Sequence, residues 1–142
     1  MKKARKKTLI IFGTFLITAF ILLGSVLYIT CYRVTVVDTV RSKGGEYEAV
    51  LQEVGDPAWP FGSAPGRLVL KKEGRTLTKM DIDIANDGGR INDGNWKVAW
   101  RDDHVEIILS GEEQYDELVK LYYDGQVESC QLTTFNGAEV ES

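Results

Sequence analysis

Residues 8 to 32, "TLIIFGTFLITAFILLGSVLYITCY", hold no charged side chain. No other feature constrains the chain as strongly, because 25 such residues in a row form a helix that water will not accommodate. At about 1.5 Å per residue they reach roughly 37 Å, enough to cross a hydrocarbon core of about 30 Å with some tilt. Five basic residues (Lys2, Lys3, Arg5, Lys6, Lys7) and no acidic one precede the run. A cleaved secretory signal has the same order of parts, but its apolar region is about 7 to 15 residues long and ends at a small-x-small site. Here Tyr28 and Thr30 stand where a peptidase needs small residues, and where a lipoprotein box before Cys31 needs Leu and a small residue. The sequence therefore predicts an uncleaved transmembrane helix in the lipid bilayer over residues 8–32. Basic residues tend to stay inside, so residues 1–7 are expected to be a cytoplasmic tail and the rest to lie outside the cell membrane. Gly13 and Gly24 are eleven apart, which is not the small-xxx-small pattern of a helix-pairing face, and a plain single-pass anchor is the expectation.

Beyond Tyr32 the chemistry changes. All 21 acidic residues lie there against twelve basic ones, a formal net charge of −9. A domain so charged is repelled by anionic lipid headgroups, which argues against lipid binding and for a basic or cationic partner; nucleic acid is not expected as a partner. Apolar residues recur with period two, the mark of half-buried strands. Tyr47, Ala49 and Leu51 share a face, as do Met80, Ile82 and Ile84, then Trp96, Val98 and Trp100, then Val105, Ile107 and Leu109. Turn residues separate these runs. "GEEQYDELVKLYYDG" reads as three helical turns or as a strand entering an Asp-Gly turn, and its β surroundings favour a strand over residues 117–123. The expected fold class is mainly β: an N-terminal transmembrane helix, then a small antiparallel β domain over residues 33–130, arranged as a meander sheet, a sandwich or a partly open barrel. Residues 131–142 are expected to be a partly disordered C-terminal segment.

Chemistry is harder to find. "NDGGRINDGNWKVAW" (86–100) concentrates oxygen ligands, and Asp87 and Asp93 are its calcium candidates. Counted from Asp81, however, the loop places Ala85 and Asn86 where an EF-hand requires an acid and a glycine, and Asn-Asp-Gly is itself a favoured turn sequence. Two successive turns between the strands are the expectation, with no metal and no cofactor. "GDPAWPFGSAPG" (55–66) carries Trp59 and Phe61 among three prolines. These aromatics are the partner-binding candidates, although the sequence favours a role as a plug for the open end of the sheet. Ser63 lacks the glycine two residues earlier that a nucleophile elbow requires. His104, the only histidine, is expected at the surface beside Asp102 and Asp103, with no second histidine to form a zinc site or a triad. Cys31 and Cys130 form either a disulfide or, as the lipid-edge position of Cys31 favours, two free thiols.

The basic start, the single helix and the motifs "GDPAWPFGSAPGRLVL", "DIDIANDGG", "NWKVAWRDDHVEIILSGEEQYDE" and "LYYDG" resemble uncharacterised small single-pass membrane proteins of Gram-positive bacteria. That resemblance implies an extracytoplasmic β-rich domain of unknown function and brings no catalytic residue with it. The functional expectation is a non-enzymatic, membrane-anchored binding or accessory module whose partner is an envelope or membrane protein. Two alternatives stand beside it. One is an envelope hydrolase using carboxylates of the loops at 86–95 and 102–104; the other is an accessory subunit that docks on a membrane complex through its helix.

Overall fold

In a computed structural model of the protein, residues 2–135 and 138–139 are described, with side chains over residues 6–134. With no proline in the run, the apolar stretch and the basic residues before it form one helix, α1 (Lys2–Cys31). Its segment Lys6–Cys31, 26 residues, is long and apolar enough to span a membrane. By length and composition the same segment also fits a signal sequence. Four of its hydroxyl groups are satisfied by the helix itself: Thr14 donates to the Ile10 carbonyl at 2.8 Å, Thr18 to Thr14 at 3.0 Å, Ser25 to Ile21 at 2.8 Å and Thr30 to Val26 at 2.9 Å. Such back-bonding removes the penalty for placing a hydroxyl where no water is present.

Two antiparallel meander sheets follow. The first contains β1 (Val34–Arg41), β2 (Tyr47–Val54), β3 (Ala64–Lys72) and β4 (Arg75–Ile84) in sequence order. The second contains β5 (Trp96–Trp100), β6 (His104–Leu109), β7 (Tyr115–Tyr122), β8 (Val127–Phe135) and the two-residue β9 (Ala138–Glu139). The expected mainly β class is therefore observed, and the arrangement is a sandwich. Residues 117–123 are strand up to Tyr122, and Asp124 and Gly125 lie in the turn that follows. Strand β8 runs past residue 130 to Phe135, and the remainder of the expected loose tail lies outside the described residues apart from β9.

Period two decides which side chains meet. Ala49 and Leu51 of β2, Ala64, Leu68 and Leu70 of β3, and Ile82 and Ile84 of β4 face Trp96, Val105, Ile107, Leu109, Val119 and Leu121 of the second sheet in one core. Trp96 crosses that core and donates its indole N–H to Asp38 Oδ2 at 3.0 Å, where β1 is bulged between Val36 and Asp38. The tight β3–β4 turn consists of Glu73 and Gly74, both at positive φ (48° and 79°), as a two-residue hairpin demands. At the end of the sandwich remote from the helix, Tyr47 and Tyr123 stack with ring centroids 4.0 Å apart.

Antiparallel pairing sorts the loops into two sets. Because β1 starts where α1 ends and Val34 pairs with Val54, the loops at 55–63, 85–95 and 110–114 gather at the helix-proximal end. The loops at 42–46, 73–74, 101–103 and 123–126 lie at the distal end.

Candidate functional site

The helix-proximal end is the most elaborately built part of the molecule. Strand β2 is followed directly by Gly55, whose N–H donates to Arg33 O at 2.7 Å, and the next N–H, of Asp56, donates to Thr30 O at 2.8 Å. The last helical turn thus has one of its otherwise unpaired carbonyls satisfied by the β domain. Gly55 sits at φ +76°, and an added Cβ would fall 2.5 Å from Thr30 O and about 3 Å from the Cys31 backbone. Only glycine allows helix and sheet to approach this closely.

A charged clamp reinforces the joint. Glu53, on the inner face of β2, is only 4% exposed. One of its carboxylate oxygens accepts from Arg90 Nη1 at 2.7 Å and the other from the Ile91 N–H at 3.1 Å. Arg90 also bonds Asp56 Oδ1 through Nη2. Hydrogen bonding to Glu53 first, and then to Asp56, holds the Arg90 guanidinium pKa above its ordinary value. The clamp ties the 85–95 loop to the strand and joint beneath it.

That loop does more than turn the chain. It carries it from β4 of one sheet to β5 of the other across the end of the core. Asn86 and Asn95 exchange side-chain hydrogen bonds at 2.9 and 3.0 Å, Asn95 also donates to Ser110 O at 2.9 Å, and Asn92 Oδ1 caps Gly94 N–H at 2.9 Å. The amide oxygens that suggested a calcium loop are therefore committed to the loop's own frame. Asp87, at φ 48°, and Asp93, in a short 3-10 turn (Asp93–Asn95), both point to solvent. Among the described residues no three His, Cys, Asp or Glu side chains converge as metal ligands would.

Trp59 and Phe61 are where the structure departs from the sequence reading. Trp59 is 92% exposed and Phe61 71% exposed, so neither plugs the sandwich. The plug is Ile91, 5% exposed, which packs so closely on Gly66 that a Cβ there would lie 2.6 Å from Ile91 Cδ1. With that space filled, the aromatic loop is held outward by bonds from Ala58 N to Ser63 O (3.1 Å) and Gly62 N to Ala58 O (2.7 Å), with a cis Trp59–Pro60 peptide between them. It rests on the 85–95 loop through Gly88 N to Gly62 O at 3.1 Å.

The remaining candidates lie elsewhere. His104 is partly buried rather than a surface residue, with Nδ1 on Asp103 and Nε2 3.4 Å from Glu106 Oε1. Glu106 also accepts from Arg101 at 2.7 and 2.9 Å, which with His104 lowers its carboxyl pKa; the His104 contact does the same for Asp103. Ser63 is at the opposite end of the domain from His104, 3.4 Å from Asp83. The carboxylates of loops 86–95 and 102–104 are likewise separated by the whole of β5, about 17 Å of strand. A glycosidase pair stands about 5 to 9.5 Å apart, so the two loops do not build one such site between them. Cys31 and Cys130 are both free and exposed.

Comparison of the chain with family models, with curated proteins and with solved structures finds no match in any of the three. The residues missed by sequence reasoning are Glu53, Arg90 and the Asn86–Asn95 pair. For Glu53 a signal was present: it continues the inward alternation of Tyr47, Ala49 and Leu51, a carboxylate in an apolar register.

Proposed function

We propose that this protein is a single-pass, membrane-anchored module whose basic N-terminus is cytoplasmic and whose acidic β sandwich stands outside the membrane as a non-enzymatic binding or accessory unit. One observation carries the reading: α1 is apolar on every side and nothing in the domain covers it, as in Phe20, 76% exposed. A helix apolar all round requires either a protein interior or lipid around it, and the sandwich core is complete without it. The charge asymmetry across the helix supports the orientation. The Thr30–Asp56 bond and the closeness of Gly55 support a fixed angle between helix and domain, which suits a unit that presents a defined face to an envelope or membrane protein. Trp59 and Phe61, exposed at the helix-proximal end, are aromatics that such a module can offer a partner.

The test replaces residues 8–32 with an unrelated apolar helix and compares proteins crosslinked to the outer domain in intact cells. A partner retained after the exchange fits a binding module. A partner lost on exchange, with the domain still folded, makes the helix itself the interface and overturns the domain-centred reading.

A further inference from the structure

We propose that Trp59 and Phe61 are a second membrane contact, inserting into the outer headgroup region beside the point where α1 leaves the bilayer. The inference rests on the anchor reading above. A span of 26 residues reaches about 39 Å, longer than a hydrocarbon core of about 30 Å, so its last turn stands at headgroup level. Asp56 is hydrogen-bonded to that turn at Thr30, and Trp59 follows three residues later, within about 11 Å of chain. The loop's own bonds and its seat on the 85–95 loop leave both aromatic side chains facing outward at this end. Tyr28 and Tyr32, both exposed, flank the helix exit. Two separate stretches of sequence thus supply Tyr28, Tyr32, Trp59 and Phe61 near the helix exit, the composition of an interfacial aromatic belt, where an amphipathic ring has its apolar body in lipid and its polar edge in the headgroups.

The domain's net charge of −9 argues against a lipid contact only if charge is what drives it. Asp87, Asp93, Glu112 and Glu113 are exposed at the same end, so insertion here is apolar and works against the local charge. Zwitterionic lipid should therefore favour the contact and anionic lipid weaken it.

The experiment uses the full chain in phosphatidylcholine vesicles carrying bromine near the headgroup, with and without phosphatidylglycerol. Trp59 is one of three tryptophans and Trp96 and Trp100 lie in or against the core. Quenching should remove about one third of the emission, W59F should abolish that loss, and phosphatidylglycerol should reduce it. A W59A/F61A double variant should keep the thermal midpoint in detergent while the domain tilts more freely on the vesicle. If protease protection shows the helix inserted but Trp59 is quenched by aqueous iodide and not by brominated lipid, the belt is overturned and the anchor stands; the pair is then free for a protein partner. If the helix does not insert, both readings fall together.

Discussion

Gly55 is the residue on which the link between helix and domain turns. Its positive φ costs a side-chain-bearing residue about 1–3 kcal/mol, and a Cβ would also collide with Thr30 O. Gly55→Ala should therefore destabilise the domain by about 2 kcal/mol or detach the helix end from it. Thermal unfolding of the full chain in detergent, read by near-UV circular dichroism, measures the first outcome. Glu53 makes a second case. Removing a buried carboxylate strands the Ile91 N–H and leaves Arg90 with Asp56 alone, and because the Arg90 side chain is exposed the loss should be about 2 kcal/mol for Glu53→Ala, below the 3–5 typical of a fully buried pair. Glu53→Gln keeps an acceptor for Ile91 and should cost less. Equal losses for the two variants in urea titrations would show that the charge, not the hydrogen bond, holds the loop.

The strands were largely legible in the sequence because each shows one apolar face at period two, and the inward positions of Met80, Ile82, Ile84, Trp96, Val98, Val105, Ile107 and Leu109 follow directly. What period two does not report is which strands share a sheet. The break between β4 and β5 is marked only by the length of the 85–95 connection, too long for a tight hairpin, and its Asn-Asp-Gly turns disguised a crossover as a bend. Nor does composition tell whether an aromatic loop faces core, water or lipid: Trp59 and Phe61 suit all three, and Ile91 took the core position. The crossover loop is expected to act as one unit. In a double-mutant cycle Asn86→Ala and Asn95→Ala should each cost about 1–3 kcal/mol, since each leaves buried polar groups unpaired, with a coupling of about 1 kcal/mol between them. Additive effects would mean that the two side chains work independently. At the distal end, the Arg101–Glu106–His104 contacts set a pH dependence. Glu106 has a lowered pKa in the folded state, so its contribution is fully present above its ordinary value of 4.5 and is lost as pH falls through the lowered one. Glu106→Gln should flatten the fall in the thermal midpoint on acidification below about pH 5, and the solvent that reaches Arg101 and Asp103 makes the effect small and salt-sensitive.

At the scale of the whole molecule, two chemically unlike parts meet in one chain. A helix that back-bonds the hydroxyls of Thr14, Thr18, Ser25 and Thr30 and exposes apolar side chains on all sides is joined through Gly55 and Asp56 to a sandwich whose core needs nothing from it. The joint, the Glu53–Arg90 clamp and the aromatic loop all gather at the end where the helix leaves, while the ionised cluster around His104 faces away. That polarity along one axis fits a domain held upright at a membrane surface. In the function proposed above, α1 remains as an anchor with the sandwich outside. The most direct measurement of that placement is protease treatment of intact cells followed by alkaline extraction of their membranes, with tags before residue 1 and after residue 142. An anchored chain stays with the membrane at full length after extraction, loses its C-terminal tag to external protease and keeps its N-terminal tag protected. A chain found in the medium, shortened to begin near residue 31, would make α1 a cleaved signal and overturn the anchor.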